Sequence, residues 1–226
     1  MRSNSIQVMS AVAVVAMAGS ASAGFVSATV DPFGNVDSVN NGSNNVYASS
    51  SSAVTGGLWT SRTIATSTLS TANATSNFSV SGGSAVLTVT QVGASVTAGT
   101  NQKAKITYSS TGSGPDFTGF SSLQFDYAST LGTIGVRVFI AGMTGSYVQK
   151  SIAGGSGTLT INASEFAINP AQLGGVPTLW LEFFRNNGSN ASGTFSISNL
   201  VANGVPAPGA VALLAAAGLV GARRRR

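Results

Sequence analysis

The chain has 226 residues, of which 43% are hydrophobic and only 8% charged, with no cysteine and no histidine. Ordinary soluble proteins carry roughly 25% charged residues, yet this chain has too much apolar content and too little net charge to be disordered. The missing residue types exclude disulfides, thiol chemistry, cysteine or histidine metal sites, and nucleophile systems built on Ser/His/Asp or Cys/His.

Arg2 opens a short positive region, Val8 to Ala18 is apolar and rich in alanine and valine, and Ala21, Ser22 and Ala23 are small. This order predicts a secretory signal peptide, residues 1–23, cleaved by signal peptidase before Gly24. The apolar core spans only about 11 residues, too few for a transmembrane helix.

The next stretch, 24–204, is about 180 residues, enough for one domain with its own core. Its dominant signal is apolar/polar alternation in short runs separated by Gly, Ser, Asn and Pro, which predicts antiparallel strands. Expected strands are 25–30, 58–66, 77–80, 85–92, 103–108, 123–127, 135–141, 147–150, 158–162, 178–184 and 194–200. Eleven short strands with hardly a helix predict an all-β fold, an antiparallel jelly-roll-like β-sandwich. Asp31 to Ser52, rich in Asn and Ser, is expected as a long loop. Residues 163–175 are expected as a connection with one helical turn at 164–167. No repeat of solenoid or propeller period is present.

Alternation in the second half predicts two faces. Leu123, Phe125 and Tyr127, Val136, Val138 and Ile140, and Leu179, Leu181 and Phe183 should meet in the core. The opposite positions are Gln124 and Asp126, Arg137 and Phe139, and Trp180, Glu182 and Phe184. Residues 117–201 resemble galactose-binding-like jelly-roll domains, including carbohydrate-binding modules. The resemblance rests on Leu123-Gln124-Phe125-Asp126-Tyr127, the 135–140 strand, and the closing run Gly193-Thr194-Phe195-Ser196-Ile197-Ser198-Asn199-Leu200. That family often has Asp before Asn in its last strand, where this chain has Ser198.

Val205, Pro206, Ala207 and Pro208 begin the terminal segment, followed by an apolar run from Gly209 to Ala222 and by Arg223, Arg224, Arg225 and Arg226. About 14 apolar residues rise about 21 Å as a helix, short of the roughly 30 Å hydrocarbon core. The prolines hold the preceding backbone extended, and the arginines keep the terminus on the cytoplasmic side. A motif, an apolar stop and a polar end form the logic of a removable sorting signal. A simple tail anchor or a C-terminal core helix are the alternatives. The three parts resemble the PEP-CTERM sorting signal of Gram-negative bacteria, whose motif is Val-Pro-Glu-Pro, with Ala207 here in place of Glu. The resemblance implies an exosortase-type sorting enzyme as partner, membrane contact through the C-terminal helix, and a cell-surface or extracellular-matrix destination linked to exopolysaccharide production.

Arg2 and the four terminal arginines account for five of the eleven basic residues, leaving six against six acids between the signals. The domain is therefore neutral, and nucleic-acid binding loses its electrostatic support.

Trp180, Phe139, Arg137, Asp126 and Glu182 are the candidate glycan platform. Aromatic faces stack on sugar rings while carboxylate and guanidinium groups take hydroxyls. Tyr147 and Gln149 are candidates to join it. The competing expectation is a second core layer with Arg137 paired to Glu182 or Asp126. Asp31, Asn35 and Asp37 offer oxygens of the kind calcium takes, but they do not match an EF-hand loop, and Asx turns are the expected reading. A carboxylate pair such as Asp126 and Glu182 could in principle run glycoside hydrolysis, but Arg137 beside them would keep both ionised. Sequons begin at Asn41, Asn73, Asn77, Asn162, Asn187 and Asn190, as chance supplies in such a composition. The sequence thus predicts an exported, non-enzymatic β-sandwich needing no cofactor or metal, sorted to the cell surface or matrix, with exopolysaccharide as candidate ligand. A structural or adhesive matrix protein without a glycan site and a glycan-active hydrolase are the alternatives.

Overall fold

Alternation drives the architecture: in Gln102–Ser109 every second side chain is buried, and Ala74–Ser81 repeats the pattern. A strand with that period must cover one face with another sheet. The computed structural model describes residues 27–41, 47–68, 74–91, 102–141, 147–167, 173–185 and 192–204. Among them are thirteen strands in two antiparallel sheets. The seven-stranded sheet contains β1 (Ala28–Asp31), β2 (Asp37–Asn41), β5 (Ala74–Ser81), β6 (Ser84–Gln91), β8 (Phe120–Ser129), β11 (Gly155–Asn162) and β13 (Gly193–Gly204). The six-stranded sheet contains β3 (Ala48–Ala53), β4 (Ser61–Thr68), β7 (Gln102–Ser109), β9 (Ile134–Ile140), β10 (Val148–Ile152) and β12 (Thr178–Arg185).

The first sheet runs β11-β8-β13-β6-β5-β2, with β1 also pairing β13, and the second runs β10-β9-β12-β7-β4-β3. The chain crosses repeatedly between them, giving a jelly-roll-like β-sandwich. Residues Phe25–Val205 form one compact unit. Gly82 and Gly83, both at positive φ, make the two-residue turn joining β5 to β6. Such a turn matches the strand twist and requires left-handed backbone at both positions.

The nine expected core residues of the second half line the interior, except that Tyr127 is only partly buried at its margin. Phe125, Phe183 and Phe195 pack edge-on or tilted at the centre, with ring centroids 6.1 and 4.9 Å apart. Trp59 is 1% exposed, packs against Tyr108 and Phe117, and donates its ring N–H to the Val176 carbonyl at 3.0 Å.

One expectation changes. The Asp31 to Ser52 loop contains β2 and β3, made of Asp-Ser-Val-Asn-Asn and Ala-Ser-Ser-Ser-Ser-Ala. Both lie at sheet edges, where partner strands β5 and β4 supply the pairing that weak propensity does not. The expected Asx turn forms at Asp31, and Asp31, Asn35 and Asp37 do not assemble as cation ligands. The Asp31 Oδ1 accepts the Phe33 N–H, while its Oδ2 pairs with Arg62 Nη1 at 2.7 Å in a pair that is almost fully buried. The Asn35 carbonyl accepts Arg62 Nη2, and Asp37 Oδ1 accepts the Ser38 N–H. No cluster of metal-binding side chains occurs among the described residues. The expected helical turn is a single 3₁₀ turn, Ala163–Glu165.

The expected signal peptide with Ala21 and Ala23, the tail from Val205 through Arg226, and the sequons at Asn73, Asn187 and Asn190 lie outside the described residues. Among the described residues no helix is long and apolar enough to cross a membrane.

Candidate carbohydrate-binding face

The outer face of the six-stranded sheet is built by alternation in β7, β9 and β12. Burial of Ala104, Ile106 and Tyr108 turns Lys103, Lys105 and Thr107 outward, and burial of Val136 and Val138 does the same for Arg137 and Phe139. Register then sets these residues side by side. Trp180 lies between Phe139 and Thr107, Glu182 between Arg137 and Lys105, and Phe184 between Gly135 and Lys103. Gln149 on β10 faces Arg137, and Tyr147 immediately precedes that strand.

Trp180 and Phe139 are stacked, with ring centroids 5.4 Å apart and planes inclined by 13°. Tyr147 leans on Trp180 at 6.3 Å and is 46% exposed. From the opposite strand, Lys105 Nζ sits 4.7 Å from the Trp180 ring centroid. Cation and ring attract through the ring quadrupole.

Arg137 is held on several sides. Its Nε donates to Gln149 Oε1 at 2.9 Å and its Nη1 to Glu182 Oε1 at 3.3 Å. Its guanidinium also lies 4.3 Å from the Phe184 ring and 4.9 Å from the Tyr147 ring. Phe184 points outward yet is only 5% exposed, because its ring covers the space above Gly135, where a Cβ would come within 2.2 Å of it. Lys103 Nζ is 4.0 Å from Glu182 Oε1, so the one carboxylate of the face is shared by two cations.

Four of the five expected platform residues, Trp180, Phe139, Arg137 and Glu182, come together here. Asp126 does not. It lies on β8 in the other sheet, pointing outward on the far side of the sandwich. There Thr158 Oγ1 and Asn199 Nδ2 donate to its carboxylate at 2.6 and 2.7 Å and hold its pKa below the usual carboxylate range. Asn199 reaches it from a bulge in β13, at φ 50°. Consequently Arg137 pairs with Glu182 and not with Asp126. Asp126 and Glu182 point away from each other across sheets spaced about 10 Å apart, so this pair cannot flank a glycosidic bond as acid and base. Lys103 and Lys105 are the residues that sequence reasoning passed over. Their outward phase was visible in the Ala104, Ile106, Tyr108 alternation, but the adjacency of β7 to β12 was not.

No protein-family model matches the chain, and no curated protein matches it. Among solved structures, a family 11 carbohydrate-binding module from Clostridium thermocellum, in complex with a β-1,3-1,4-mixed-linked tetrasaccharide, is 17% identical. It covers 81% of this chain and 98% of its own, with a TM-score of 0.40. A family 29 carbohydrate-binding module is 13% identical, covering 77% of this chain and 96% of its own, with a TM-score of 0.36. At such scores the likeness carries no statement about what this chain binds.

Proposed function

We propose that this chain is an exported, non-catalytic β-sandwich that binds polysaccharide on the outer face of its six-stranded sheet. The observation that carries the reading is the cluster of Trp180, Phe139 and Tyr147, interleaved with Arg137, Lys105 and Glu182. Apolar ring surface beside fixed donors and acceptors is what a sugar, with C–H faces and equatorial hydroxyls, requires. The signal-like N-terminus and the Val205 to Arg226 tail support export and sorting to the cell surface or to an exopolysaccharide matrix, with signal peptidase and an exosortase-type enzyme as processing partners.

Tryptophan emission tests the binding. Trp59 is buried and hydrogen-bonded, so a surface ligand acts on Trp180. Titrating the full chain with the producer's exopolysaccharide should give a saturable emission change that Trp180→Ala abolishes. An unchanged emission across that polymer and a panel of neutral and acidic glycans would refute the reading. Intact mass of surface-fractionated protein tests the sorting, because retention of Arg223 to Arg226 would show that the tail is not removed.

A structural or adhesive matrix protein without a glycan site is the second reading. It is favoured by the placement of Phe139 and Lys105 on the two strands flanking Trp180, which cover the indole from both sides.

A further inference from the structure

We infer that the polysaccharide taken by this face is anionic, a carboxylate-bearing glycan of the uronate class. The inference rests on the proposed binding face and adds its charge. Six basic residues lie between the two terminal signals. Arg62 and Arg185 are buried, at 0% and 2% exposure, and Lys150 pairs with Glu165. The other three, Lys103, Lys105 and Arg137, all stand on this one face. Against them the six strands of the sheet carry a single acid, Glu182. A domain that is neutral as a whole therefore presents two surplus positive charges on its aromatic side, while the outer face of the opposite sheet presents Asp126 among Ser, Thr and Asn.

The surplus is also arranged. Glu182 is matched by Arg137 and Lys103, which leaves Lys105 against the Trp180 ring with no carboxylate partner among the described residues. Arg137 spends Nε and Nη1 on Gln149 and Glu182, and its side chain remains 26% exposed. The Phe184 and Tyr147 rings fix its plane. Of its five N–H groups one on Nη1 and both on Nη2 remain, and the edge these two nitrogens share is a ready receptor for a planar carboxylate. Arg137 and Lys105 occupy one cross-strand row with Glu182 between them, two strand spacings or roughly 9.5 Å apart. Carboxylates repeated along one polymer strand can engage both cations, with Tyr147 exposing ring surface beside them. A neutral glycan would leave Lys105 and the free edge of Arg137 without a counter-charge.

The test compares each anionic polymer with its own uncharged form. The protein is the full chain with Arg223, Arg224, Arg225 and Arg226 changed to Gln, so that the tail contributes no cations. The probes are polygalacturonate and alginate, each beside its methyl ester, which keeps the backbone and removes the charge. We expect saturable binding to at least one acid polymer and at least tenfold weaker binding to its ester. Affinity should fall as salt rises from about 0.05 to 0.5 M, as screening requires. Lys105→Gln, a change at a half-buried position on the outer face that keeps most of the side chain's length, should weaken acid-polymer binding roughly tenfold. Arg137→Lys should weaken it too, by removing the fork while keeping the charge. Lys150→Gln, outside the face, should change nothing. Equal binding of acid polymer and ester, or acid-polymer binding indifferent to Lys105→Gln and Arg137→Lys, overturns the anionic assignment while the polysaccharide reading stands. Binding to none of these polymers, together with none to the producer's exopolysaccharide, overturns both.

Discussion

Removing the Arg62 guanidinium should be among the most damaging single changes in the domain. Arg62 is fully buried on β4, where it pairs with Asp31 on β1, donates to the Asn35 carbonyl at 2.8 Å and reaches Ser52 Oγ on β3 at 3.0 Å. It thus joins three separate segments by one planar fork. Arg62→Met keeps most of the side-chain volume but leaves the Asp31 carboxylate buried without its cation, beside only the Phe33 N–H and the neighbouring Tyr108 hydroxyl. Deleting one partner of a buried pair costs about 3–5 kcal/mol, about a fifth or more of the roughly 5–15 kcal/mol that holds a typical domain folded. Urea unfolding of the full chain, followed by far-UV dichroism, reads this as a lower midpoint with unchanged slope. Asp31→Asn in the same background should return a large part of the loss, because the amide oxygen still accepts the Phe33 N–H while the uncompensated charge is gone. A single-variant cost below about 1 kcal/mol, or a double variant equal to the sum of the two singles, would refute the argument.

Gly135→Ala places a methyl against the Phe184 ring. It should cost about 1–3 kcal/mol and weaken glycan binding, since Phe184 supports Arg137; an unchanged midpoint together with unchanged affinity would contradict this. Acid should destabilise the protein only below about pH 4. Asp116, Asp126 and Glu165 have pKa values lowered chiefly by hydrogen bonds from Thr118, Thr158 and Lys150, so the unfolded chain takes up protons first as pH falls, and their contribution fades on the acid side. With no histidine in the chain, a midpoint that shifts between pH 6 and 8, in the range where histidine titrates, would contradict this account.

The alternation of apolar side chains made the strands of the second half readable, because Leu181 or Val138 gains as much from facing the core as Glu182 or Arg137 loses. The same logic fails for β2 and β3. Their Ser and Asn side chains carry no phase, and edge position is a property of the partner strand, not of the segment itself. Sheet membership was equally hidden. Asp126 and Arg137 are both outward by alternation, and nothing in either strand says that the chain changes sheets between β8 and β9. The platform was therefore legible in composition and wrong in one member, and its lysines emerged only when register put β7 beside β12.

The way the aromatic cluster is packed decides which ring a sugar would meet. Phe139 and Lys105 stand on the strands flanking β12, so the Trp180 indole is held between a ring and a cation and turns an edge to solvent. Its stacking energy, about 0.5–1.5 kcal/mol for such a pair, is already spent within the protein. Tyr147 differs, with nearly half its surface open and only its inner side against Arg137 and Trp180. Tyr147→Ala should therefore lower glycan affinity about tenfold while moving stability by no more than about 0.5 kcal/mol. Phe139→Ala should do the reverse, loosening the Trp180 stack and lowering the unfolding midpoint more than the affinity. If Phe139→Ala abolished binding at unchanged stability and Tyr147→Ala left it intact, the ligand would have to enter between Phe139 and Trp180, and the stacked pair would be a site that opens instead of a support.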